Sequence, residues 1–256
     1  MMGRSIILCE GETDAILLSY YLERLCGIAY TKDPKTQLDC TEETCWYDNA
    51  SGKEIAITWV GGHDFTEALQ EVLHINQLAL ASDRFDRVVV LADHDDAKSE
   101  TMMQTLLDAL CRQEYGGAEG NRRRIYQAEW EVFHLQGQDG ISYEMKYCGV
   151  LIPLDHEGAL ETFVLEQLCN AAEADVRRDN QKVVREIDAM IGRIKPPETQ
   201  YLHRRRDQIK ARFALFLSVV HPEKAFQPLN RLIGSVDWKV FQNDKRQEQF
   251  RFLRDL

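Results

Sequence analysis

The sequence contains no apolar run approaching the roughly 18 residues of a membrane span, so a chain without membrane-crossing helices is expected. Met1-Met2-Gly3-Arg4-Ser5 leads straight into a strand-like run and lacks the layout of a signal peptide. Positive charge is not in surplus: the net charge is −11. That argues against a protein that coats nucleic acid through bulk electrostatics, where Lys and Arg dominate. No G-x-x-x-x-G-K-[ST] loop is present, which excludes a P-loop ATPase in these residues. No G-x-G-x-x-G follows the first strand, which removes the dinucleotide-binding fingerprint. The seven cysteines are odd in number and scattered. Cys40 and Cys45 form an isolated pair with no second pair to complete a zinc set. A reduced, cytoplasmic protein is the simplest expectation.

What is present is a 256-residue chain that is 44% hydrophobic, enough for a sizeable core. Ser5 to Cys9 and Arg87 to Ala92 are continuous apolar runs and read as buried strands. Ile55 to Val60 alternates like a strand, after a hairpin signal through Trp46-Tyr47 and Ser51-Gly52. Glu129 to Leu135 and Cys148 to Ile152 read as further strands. Helical spacing marks 13–25, 65–80, 99–111 and 158–168. Beyond residue 170 strand signals fade. Val183 to Ile194 and Thr199 to Val220 read as amphipathic helices ended by Pro196 and Pro222. The expected fold is α/β, a mainly parallel sheet flanked by helices, over residues 1–170. A helical extension over 171–256 either caps that sheet or pairs two chains.

Both strong strands end in acids. The first gives Cys9-Glu10-Gly11-Glu12-Thr13-Asp14 and the second Ala92-Asp93-His94-Asp95-Asp96. Functional groups of such sheets gather beyond the carboxyl ends of the strands. If the two strands are neighbours, Glu10 faces the Asp93/Asp95 pair across one crevice. Clustered carboxylates repel one another unless a cation joins them, and hard divalent ions prefer carboxylate oxygens. The structural alternative is helix capping, which would account for Asp14 and Asp96. Arg122-Arg123-Arg124 and Arg204-Arg205-Arg206 are short basic runs, read either as solvated faces or as phosphate contacts.

These two motifs resemble those of the Toprim family: an apolar strand ending in Glu-Gly, then an apolar strand ending in D-x-D. The resemblance covers residues 4–115 well and extends loosely to about 170. It implies a Toprim (Rossmann-like) fold with Glu10 as proton-transfer residue and Asp93 and Asp95 as Mg²⁺ or Mn²⁺ ligands. The absence of zinc sets and the modest length make the chain most similar to small stand-alone proteins related to the OLD nucleases. That likeness adds Asp14 to the metal ligands and a later helix-opening Glu, either Glu161 or Glu157. It also adds a lysine from a later helix, for which Lys210 is the candidate.

Lys210 shares a helix side with Phe213 and Leu217, so its amine either reaches the site or snorkels to water. His94 occupies the variable position of the D-x-D, while His63 and His156 lie in loops near strand ends. The implied activity is metal-dependent hydrolysis of phosphodiester bonds in DNA or RNA. The alternative is a partner-dependent effector or regulatory module, for phage defence or stress response, that works with a separate ATPase. Nucleotidyl transfer would use the same acids but needs a triphosphate pocket that the sequence does not indicate.

Overall fold

The computed structural model describes residues 4–31, 38–39, 41, 43–48, 52–61, 64–94, 97–114, 128–195, 197, 199–225, 227–242 and 250–256. The described chain divides into two compact units, one of residues 1–154 with 249–256 and the other of residues 155–248. Helix 160–169, expected with the sheet, therefore belongs to the helical unit, and the last segment returns to the sheet unit.

The first unit is an α/β layer. Its strands are β1 (Arg4–Cys9), β2 (Ala29–Thr31), β3 (Thr44–Asp48), β4 (Glu54–Trp59), β5 (Phe85–Asp93), β6 (Glu131–Gln136) and β7 (Ser142–Ile152). Its helices are α1 (Glu12–Tyr21), α2 (Phe65–Leu78) and α3 (Ala97–Gln113). The seven-stranded sheet runs β2-β3-β4-β1-β5-β7-β6. The four central strands are parallel, and β2, β3 and β6 add antiparallel edges.

β1 and β5 are central and covered on both faces, which is why their sequences are apolar without alternation. On one face Ile6, Leu8, Val88 and Val90 pack with Leu69, Val72 and Leu73 of α2 and Met103, Leu106 and Leu110 of α3. Each such fully buried side chain contributes about 1.5–3 kcal/mol of hydrophobic stabilisation. α1 packs against β1 and β4, and its Leu17 and Leu18 lie outside that cluster. After α1 a π-helical turn over Leu22–Cys26 ends at Gly27, whose φ of +67° suits glycine.

A buried polar clamp joins α2 to β5. The Asn76 side-chain amide donates to the Phe85 carbonyl at 2.8 Å, and its oxygen accepts the Phe85 N–H at 2.7 Å. Asn76 thereby stands in for a missing strand neighbour at the start of β5. Arg84 reinforces the corner by donating to the Asn76 carbonyl at 2.9 Å.

The second unit is helical: α4 (Leu160–Cys169), α5 (Ala174–Ile194), α6 (Arg205–Val220) and α7 (Leu229–Ile233), with a 3-10 turn over Trp238–Gln242. α4, α5 and α6 pack on one another. The apolar end of the sequence serves both units separately. Trp238 and Phe241 stack together and Phe241 meets Phe163 of α4, whereas Phe250 meets Tyr21 of α1 at 4.4 Å. Among the described residues, no helix is long and apolar enough to cross a membrane.

Candidate metal-binding site at the strand ends

The register of the sheet brings the two acidic motifs together. β1 and β5 are direct parallel neighbours, with Cys9 opposite Leu91. Glu10 and Asp93 therefore lie just past the same level, at the carboxyl ends of adjacent strands. Backbone bonds continue beyond the strand: Val60 donates to the Cys9 carbonyl at 3.0 Å and Gly61 to the Glu10 carbonyl at 3.2 Å. This fixes the backbone from which the half-buried Glu10 side chain projects.

Asp14 lies in the first turn of α1. Its Oδ2 accepts the Gly11 N–H at 2.9 Å, closing the turn that carries the chain from strand to helix. The capping role open to Asp14 in the sequence is thus present, alongside a second feature. Asp14 and Asp93 are 4% and 3% exposed, and they offer carboxylate oxygens within 4.8 Å of one another. Two buried carboxylates at that spacing favour either a shared proton or a cation between them. Their separation suits a hard divalent ion, which holds oxygens at about 2.0–2.6 Å from itself. The donor set therefore fits Mg²⁺ or Mn²⁺.

Cys9 reports the same local field. Burial pushes its thiol well up, and the negative charges of Asp14 and Asp93 push it further. In sequence Cys9 reads only as one more core residue of β1. Its position beside both carboxylates emerges from the fold, and the one available signal was its place directly before Glu10.

His94 follows Asp93 and is held by the chain crossing next to it. Its N–H donates to the Ile152 carbonyl at 2.9 Å, and its Nδ1 lies 2.9 Å from the Pro153 carbonyl. Nδ1 therefore carries the proton. The Ile152–Pro153 peptide is cis. Asp95, Asp96, His63, Cys40 and Arg122 to Arg124 lie outside the described residues.

The second unit, taken by itself, separates the two later glutamates. Glu161 sits in the first turn of α4 and is 2% exposed, where the helix dipole favours an anion. Glu157 is exposed and pairs with Arg205 at 2.5 Å. The Arg204 to Arg206 run is thus partly engaged in a surface ion pair. Lys210 is exposed on α6, while Phe213 and Leu217 on its side of the helix are buried. His156 bridges Asp155 at 2.8 Å and Glu166 at 2.9 Å. Burial alone would lower its pKa, but the two carboxylates outweigh it and hold the pKa raised. Neither acid partner stands out in sequence, because Glu166 is remote and Asp155 reads as a loop residue.

No family model and no curated protein matches the chain. Among solved structures it is similar to a hypothetical protein from Pyrococcus horikoshii OT3, at 14% identity, with a TM-score of 0.46 and coverage of 98% of this chain and 100% of that one. It is also similar to an integron cassette protein from the mobile metagenome of V. cholerae, at 11% identity and a TM-score of 0.18, covering 57% of this chain and 94% of that one. Overlaps this low identify no family.

Proposed function

We propose that the chain is a Toprim-type, Mg²⁺- or Mn²⁺-dependent hydrolase of nucleic-acid phosphodiester bonds. The single observation that carries this reading is the buried Asp14–Asp93 pair at the carboxyl ends of two adjacent parallel strands. Asp14 and Asp93 are the proposed ligands, with Asp95 and Glu161 added on the resemblance of their motifs. When bound, the ion supplies positive charge against the phosphate and lowers the cost of charge developing on it. Glu10, half-buried beside the pair, accepts a proton from the attacking water. The water oxygen then bonds to phosphorus, the bond to the leaving oxygen breaks, and that oxygen takes a proton from solvent. On the same resemblance, Lys210 is the residue proposed to neutralise charge on the phosphate. The acidic net charge of −11 makes local cations, rather than bulk attraction, the route by which a polyanion is held.

The test is cleavage of labelled plasmid, single-stranded DNA and structured RNA with Mg²⁺ or Mn²⁺, beside Glu10→Ala and Asp93→Ala. Wild-type cleavage that both variants lose supports the assignment; cleavage that persists in Glu10→Ala overturns it. The net charge also favours a second reading, a partner-dependent effector whose site works only with an ATPase. Cleavage that is absent from the isolated chain and restored by such a partner would select that reading.

A further inference from the structure

On the sheet face opposite α2 and α3, helix α1 shares its place with a short segment of the same unit, residues 250–256. Phe250, Phe252, Leu253 and Leu256 are all buried, and none belongs to the cluster that α2 and α3 form with the sheet. Phe250 packs on Tyr21 at 4.4 Å, and the 3-10 turn Arg251–Arg254 lies against the π-helical turn Leu22–Cys26. Two polar ties hold the rest. Trp130 Nε1 donates to Asp255 Oδ2 at 3.1 Å, and Lys53 Nζ donates to the Leu256 carbonyl at 2.5 Å. The segment is thus a strap that runs from α1 to the residues preceding β4 and β6. The helix it meets is the one that carries Asp14. α1 has ten residues and is about 15 Å long. Its buried residues Asp14, Leu17, Leu18 and Tyr21 are spaced i, i+3, i+4, i+7 and form one stripe. Asp14 heads that stripe and Tyr21 closes it. A short helix is a stiff body, so a roll or slide at Tyr21 is transmitted to Asp14.

We propose that the strap sets the seat of Asp14, and with it the affinity of the strand-end site for a divalent ion. Phe250 is then a positioning residue that acts through Tyr21 and the α1 stripe. The second half of the proposal rests on the metal-centre reading; the first half does not. Asp14 Oδ2 accepts the Gly11 N–H at 2.9 Å, so the Gly11 amide reports on that seat with or without a metal. Burying four apolar side chains gains free energy of the same order as the cost of ordering seven residues. Docking of the strap is therefore close to balance and responds to small changes at α1. Coupling between two sites is also reciprocal: a docked strap that favours the ion is itself favoured by the bound ion.

Amide hydrogen exchange and calorimetric Mn²⁺ titration of the full chain with Phe250→Ala test this. Without metal, the Gly11 amide should exchange faster than in wild type. The Phe85 amide, held by Asn76 on the other face of the sheet, should keep its rate. Mn²⁺ should bind about fivefold more weakly or worse, the lower end of ordinary coupling between sites. Phe250→Leu, which keeps an apolar contact, should recover most of that affinity. Asn76→Leu, which weakens the same unit from the other face, should leave Mn²⁺ affinity unchanged. In wild type, Mn²⁺ should slow exchange within 250–256. If Phe250→Ala does not fold, Lys53→Met with Trp130→Phe removes only the polar ties and is read in the same way. No acceleration at Gly11, or equal acceleration at Gly11 and Phe85, overturns the proposal. So does wild-type Mn²⁺ affinity in a variant whose Gly11 amide is freed. A wild-type chain that binds no Mn²⁺ contradicts the metal centre instead, and the Gly11 amide alone then decides whether the strap seats Asp14.

Discussion

At the scale of single residues, the buried side chains Asn76, Asp14 and Asp93 meet opposite demands. Asn76 satisfies both backbone groups of Phe85, and neither has water as a substitute. Asn76→Leu fills the space but strands both. It should cost about 2–6 kcal/mol in urea unfolding, since each of the two orphaned buried groups costs about 1–3 kcal/mol. The Asp14–Asp93 pair is the opposite case, two groups of like charge held close by the backbone. His156 gives the chain a pH-dependent contact. Its folded pKa is raised above the unfolded value of 6.5. Its contribution is therefore fully present below that value and is lost as pH rises through the folded pKa. The stability difference between wild type and His156→Gln should be largest in mild acid and shrink toward alkaline pH, measured by thermal unfolding across pH. A difference that grows with pH would contradict the bridging role.

At the scale of elements, legibility followed burial. β1 and β5 were readable because a strand covered on both faces must be apolar at every position. The acidic ends of those strands were readable for the same reason, as abrupt polar stops after apolar runs. β7 begins at Ser142, earlier than the expected Cys148, because Ser142 to Tyr147 alternates exposed and buried and carries Glu144 and Lys146. α5 begins at Ala174 rather than Val183 because its first turns are solvated and show no apolar stripe. α6 starts at Arg205, not Thr199, since Leu202 takes a φ of +58° that no helix accommodates. The proposed lysine belongs at this scale. Lys210 is exposed on α6, so Lys210→Ala should leave the melting temperature unchanged while lowering cleavage about tenfold or more, the loss expected when one favourable charge contact of about 1.4 kcal/mol is removed from the transition state. Unchanged cleavage would return Lys210 to the solvated surface.

At the scale of the whole molecule, the division into two units was only partly readable. The loss of strand signal near residue 170 marked a real change of architecture. The boundary at Asp155 and the return of 249–256 to the sheet unit depend on which surfaces Phe163 and Tyr21 offer, and sequence periodicity carries no such information. A ligand that binds only the folded chain raises its stability, by about 2.7 kcal/mol at a hundredfold excess over Kd. Mn²⁺ should therefore raise the unfolding temperature of the wild-type chain but not of the Asp14→Asn/Asp93→Asn variant.

The most direct measurement is calorimetric titration of Mn²⁺ into the purified full chain and into Asp14→Asn/Asp93→Asn. Saturable binding by wild type that the double variant loses, with its fold intact, is the result expected. No binding by wild type, or binding that the double variant retains unchanged, would contradict a metal centre at the strand ends.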